Sequence, residues 1–179
     1  GFRTGTMPIL VGISDATSHA EGLAGTDPCG EALDYSTYVP TAHTVDQTVT
    51  ALNNICAHYV GIAAIGAGCG DGTSYMTNLS TQTNSRVPPG AWDVGTRPSN
   101  CAETDCCTGQ GGVGVSTDSD GLCPLVFQVD TSGNGVSSSV ATGLAMLTRF
   151  APFDVPTMTS GVTTDITGDR ARISSMVMR

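Results

Sequence analysis

Three short apolar runs, spaced along 150 residues, constrain this chain more than any other feature. They are Pro8-Ile9-Leu10-Val11-Gly12-Ile13-Ser14, Tyr59-Val60-Gly61-Ile62-Ala63-Ala64-Ile65-Gly66 and Pro124-Leu125-Val126-Phe127-Gln128-Val129-Asp130. Each is nearly continuous rather than alternating, the pattern of a strand buried on both faces of a parallel sheet. The first run therefore reads as a central strand. Between the runs lie segments with helical spacing. Over 42–57, Val45, Val49, Leu52 and Ile55 or Cys56 form one stripe, and Thr44 with Gln47 reads as a capping box. A short helix over 74–83 turns Met76 and Leu79 inward, and Val136, Val140, Leu144 and Leu147 mark a longer helix over 136–150. This alternation predicts an α/β fold: a partial doubly wound, Rossmann-like parallel sheet with helices on both faces.

The remaining segments read as loops. Residues 16–40 carry Gly22, Gly25, Pro28, Gly30 and Pro40. Residues 84–122 form a long Cys-rich excursion, expected to lack regular structure and to be held by disulfides. Residues 151–179 read as an extended, Thr-rich tail. The glycine run from Gly66 to Gly72 reads as a tight turn, because Asp71 stands where a dinucleotide fingerprint needs its third glycine. Asn78-Leu79-Ser80 matches a glycosylation sequon.

Seven cysteines (29, 56, 69, 101, 106, 107 and 123) in 179 residues point to disulfides and an oxidising, extracytoplasmic compartment. At least two bridges are expected, mostly among Cys101, Cys106, Cys107 and Cys123, with one thiol left over by the odd count. No Cys-x-x-Cys pair exists to suggest structural zinc. The net charge is −9 and the chain has no lysine, so nucleic acid and anionic membrane surfaces are not expected partners. No apolar stretch reaches the roughly 18 residues of a membrane span. The start at Gly1-Phe2-Arg3, without initiator Met or secretory signal, fits a processed product or an excised piece.

The candidate functional residue is Asp15. It falls where the first apolar run leaves the sheet, and open α/β sheets bind ligands beyond the carboxyl ends of their strands. A carboxylate there suits a metal ligand or an acid. His19 follows four residues later, beside Ser14 and Ser18. His43 and His58 flank the first helix and read as surface or capping residues.

Four segments together resemble the C-terminal half of a von Willebrand factor A-type domain. Phe2-Arg3 and Met7 to Ala16 look like its fourth strand, which ends in Thr-Asp-Gly or Thr-Asp-Ala. Tyr59 to Gly68 looks like the fifth strand and its turn, Met76 to Thr83 like the next helix, and Leu125 to Leu147 like the last strand and helix. The resemblance implies a domain half over residues 1–150. It also implies that Asp15, preceded by Ser14 in place of Thr, is one ligand of a magnesium or calcium ion. The family's Asp-x-Ser-x-Ser loop is absent, since only fourteen residues precede Asp15. One carboxylate is too few, because these ions take about six or more oxygens. Thr117-Asp118-Ser119-Asp120-Gly121 has oxygens, but far downstream.

Three functions follow as expectations. The first is an extracytoplasmic binding or adhesion module, not an enzyme, acting with a protein partner or with the missing N-terminal half of the domain. The second is a structural half of a processed surface or envelope assembly protein. The third is a hydrolase using Asp15 and His19, although no Gly-x-Ser-x-Gly elbow is present.

Overall fold

The computed structural model describes residues 2, 6–36, 38–66, 68–92 and 97–150. The tail over 151–179 lies outside the described residues. In chain order the elements are β1 (Ile9–Ser14), α1 (Val45–Asn54), β2 (His58–Ile65), α2 (Thr73–Gln82), β3 (Arg86–Val87), β4 (Cys123–Pro124), β5 (Val126–Asp130) and α3 (Val136–Phe150). Strands β1, β2 and β5 form one parallel sheet in that order, while β3 and β4 make a small antiparallel ladder. The fold is α/β, as expected.

Strand alternation divides the core into two layers. Leu10 lies opposite Tyr59, and Gly61 opposite Val126, on one face. There Tyr59, Ala63 and Val126 pack with Leu52 of α1 and with Met76 and Leu79 of α2. The other face carries Val60 and Phe127, which pack with Met146 and Leu147 of α3. Two glycines bring the helices close to β2. A Cβ on Gly61 would lie 2.8 Å from Met76 Cβ, and one on Gly143 would lie 2.7 Å from Val60 Cγ1. Helix α1 begins as its sequence specifies. Thr44 Oγ1 accepts from Gln47 N–H at 3.1 Å, and Gln47 Oε1 accepts from Thr44 N–H at 3.1 Å.

Four expectations need correction. Among the described residues β1 is an edge strand, not a central one, and Leu10, Val11 and Ile13 are 40%, 36% and 58% exposed. The third apolar run is divided in two. Pro124 has no N–H to give a ladder, and Leu125 N–H turns instead to Ser80 Oγ (2.9 Å) and Ser85 O (3.1 Å).

The 84–122 excursion is not an irregular appendage. It holds β3 and two 3₁₀ turns, at Pro89–Ala91 and Gln110–Gly112. It also contributes Val87, Ala91, Trp92 and buried cystines to the α3-side core. Finally, His58 is buried at the start of β2 rather than capping a helix, its Nδ1 3.4 Å from Ser85 Oγ. The sequon serine is buried too: Ser80 Oγ donates to Ser85 O at 2.8 Å.

Three disulfides are formed: Cys29–Cys69, Cys101–Cys107 and Cys106–Cys123. Cys56 is free and exposed. Four of the five cysteines from 69 onward therefore bridge within the excursion and its exit, and the 16–40 loop is tied as well.

Two outcomes follow from this packing. Thiol titration of the native, non-reduced protein should find one reactive cysteine, and Cys56→Ser should remove it. Opening Cys106–Cys123 by a double Ala substitution should cost about 2–4 kcal/mol in urea unfolding; seven reactive thiols would contradict the pairing. The second concerns pH. Burial holds the His58 imidazole neutral, with its pKa below the ordinary 6.5. The unfolded chain then binds a proton near pH 6.5 that the folded chain refuses. Stability present above that pH should decline as pH falls towards the folded value, by at most about 1.4 kcal/mol per unit. Unfolding at stepped pH should show His58→Gln flattening this slope, and an unchanged slope would contradict the buried, neutral ring.

Candidate functional site

Because β1, β2 and β5 are parallel, their carboxyl ends share one edge of the sheet. Asp15, the loop from Gly66 and Asp130 all lie along it. Asp15 directly follows β1 and is exposed. Its loop is fixed by its neighbours. Ser14 Oγ accepts from Ala16 N–H at 3.1 Å, and Thr17 Oγ1 donates to Cys69 O at 3.2 Å. The Cys29–Cys69 bridge then ties the 16–40 loop to the turn after β2. That turn needs Gly70, whose φ is +86° and whose Cβ would lie 2.5 Å from Thr17 Oγ1. The glycine run is thus a tight turn against the Asp15 loop.

Asp130 closes the edge at β5. Its carboxylate accepts from Ser132 Oγ–H, from Ser132 N–H at 2.9 Å, and from Asn134 N–H and Nδ2–H at 3.2 Å each. The Ser132 hydroxyl and then the Asn134 side chain hold it below the usual carboxylate range. Nothing in the apolar-run reading singled out Asp130. Its signal was the turn composition Asp130-Thr131-Ser132-Gly133-Asn134, in which Asp bonds the backbone just ahead of it.

The histidines do not join Asp15. His19 Nδ1 is 2.8 Å from Ala32 O, its Nε2 is 3.9 Å from Asp27 Oδ2, and its ring meets Tyr35 edge-on at 5.3 Å. These contacts order the 16–40 loop and leave no bond to Asp15. His43 lies 3.2 Å from Gln47 Oε1 at the α1 cap. Asp118 and Asp120 are spent on Arg86, at 3.0 and 2.6 Å, in the turn before β4. Burial raises the Asp118 pKa, but Leu122 N–H and Arg86 outweigh it and hold the carboxyl below its ordinary value.

Among the described residues no three His, Cys, Asp or Glu side chains gather as a metal site. Asp15 alone therefore does not fit a magnesium or calcium ion, which needs about six or more oxygens.

The two flanks of the sheet differ. Along β5, Gln128 N–H donates to Thr108 O at 2.7 Å, so the disulfide-stapled loop covers that edge. Along β1, no strand among the described residues pairs with the outer side. Leu10 is exposed on the α1–α2 face, and Val11 and Ile13 on the α3 face. Among the described residues no helix is long and apolar enough to cross a membrane. Comparison of the chain with protein-family models, with curated proteins and with solved structures finds no match to any of them.

Proposed function

We propose that the chain is an extracytoplasmic binding or adhesion module that works with a partner segment laid along the outer flank of β1, which no strand among the described residues pairs with. The observation that carries this reading is the asymmetry of the two edges. One is covered by a loop held with two disulfides; the other is an uncharged strand with apolar side chains exposed on both faces. Such an edge is a template for pairing with another chain, and soluble proteins ordinarily blunt it with charges, prolines or bulges. The sequence Ile9-Leu10-Val11-Gly12-Ile13-Ser14 has none of these guards. Three disulfides support an oxidising compartment.

In this reading the sheet is the second half of a doubly wound one, as the likeness to von Willebrand factor A-type domains implies. Asp15 then lies where a partner's oxygens can complete a cation shell. This chain supplies one carboxylate, and the partner the rest. The structural reading, in which the same edge joins two halves of a surface assembly, rests on the same observation. The hydrolase reading has less support, since the contacts of His19 are to Ala32, Asp27 and Tyr35.

Calorimetry tests the cation. The chain alone should bind magnesium or calcium weakly or not at all. A peptide carrying Asp-x-Ser-x-Ser behind an apolar strand should bring affinity. Asp15→Ala should then abolish it, while Asp120→Asn, which touches only the Arg86 pair, should leave it in place. Tight binding by the chain alone that survives Asp15→Ala would overturn the reading.

A further inference from the structure

A cleft of about 480 Å³ runs alongside β5 to its carboxyl end, between the Gln110–Gly112 turn and α3. Its size lies within the range of small-molecule sites, and its place is where α/β sheets hold ligands. It shares no residue with β1 or with Asp15. Phe127 and Met146, nearly buried, belong to its apolar lining, and Gln110, Gln128, Ser139 and Thr142 to its polar lining.

We propose that this cleft binds a neutral saccharide. The chemistry of the lining carries the assignment. No Arg, Lys or His lines the cleft among the described residues, so an anionic ligand finds no counter-charge. Asp130 is the single charge there, and its carboxylate is already held by Ser132 and Asn134, so a cationic ligand finds an acceptor in use. Of the six neutral Gln, Asn, Ser and Thr side chains in the lining, Asn134 donates to Asp130 and Ser132, and Ser138 to Gly135 O; the other four are different. None of Gln110, Gln128, Ser139 and Thr142 makes a side-chain bond within the described residues. Each can both donate and accept, which matches a ligand whose groups are hydroxyls with the same double capacity. The apolar part of the lining, from Phe127, Val129 and Met146, suits the C–H face of a sugar ring.

The walls are also held in place before any ligand arrives. Cys101–Cys107 and Cys106–Cys123 fix the loop, and Gln128 N–H anchors it to Thr108 O at 2.7 Å. A preformed wall lowers the ordering cost of binding.

The test is an array of neutral glycans, followed by amide-shift titration of the folded protein with the best disaccharide unit found. The expected result is saturable shifts confined to residues 108–112 and 134–142. Thr142→Trp, which fills the cleft, should weaken binding at least about tenfold, the equivalent of about 1.4 kcal/mol. Should that variant disturb α3, the smaller pair Gln110→Ala and Ser139→Ala should each still weaken it several-fold. An array with no neutral glycan bound, stronger binding of acidic sugars, or affinity unchanged in these variants would overturn the proposal.

Discussion

The fold depends on β2 being covered on both faces at once. Six consecutive residues, His58 to Ala63, are buried, and every helix of the structure belongs to a layer that packs on this strand's side chains. Close approach is what permits this. Gly61 admits Met76 on one face, and Gly143 lets α3 settle onto Val60 on the other. A methyl group at either position would meet a core side chain closer than real carbon contacts allow, so the spacing of the three layers rests on hydrogen atoms at these two sites. A polar cluster secures the amino end of the same strand. Ser85 Oγ accepts from Tyr59 N–H at 2.8 Å, and Ser80 Oγ accepts from Leu125 N–H at 2.9 Å. Backbone groups that have no ladder partner there are satisfied by side chains of α2 and its exit.

A three-strand sheet this well covered at its centre still has two edges, and the chain treats them differently. The excursion between β3 and β4 uses two disulfides, the Arg97 guanidinium on Pro89 O and Ala102 O (2.6 Å each), and the Arg86–Asp118–Asp120 cluster to hold a loop against β5. Those bonds replace an apolar core that the loop could not build alone, a common use of cystine in small secreted folds. Nothing comparable faces β1 among the described residues. The apolar side chains there stand on both faces of the strand. A single added strand would pair the edge; burying Leu10 as well as Val11 and Ile13 takes apolar cover from both sides.

The elements were legible in the sequence wherever one local signal sufficed. The Thr44–Gln47 cap, the Val136–Phe150 stripe and the three apolar runs each lie within a few residues of the elements they predict. What the sequence could not supply was position across the sheet. Ile9-Leu10-Val11-Gly12-Ile13 reads alike whether both flanks are filled or one is open, because burial depends on neighbours that an isolated run does not name. His58 was misread for the same reason: beside a helix in sequence, it is the first residue of a buried strand in space. The excursion hid its core residues, Val87 and Trp92, among prolines and glycines, whose turn signals mask long-range packing. Asp15 was placed at the end of its strand as read, but His19 was not beside it in any bonded sense, since four residues of loop gave no direction to the ring.

In the proposed function the outer flank of β1 is an interface. Amide hydrogen exchange along residues 9–14, on the protein as purified in its native assembly, tests this most directly. Outward-facing amides of an occupied edge should exchange as slowly as those bonded to β2, and they should be released when the assembly is dissociated. A native monomer in which those outward amides exchange at the rate of open loops would contradict an interface there.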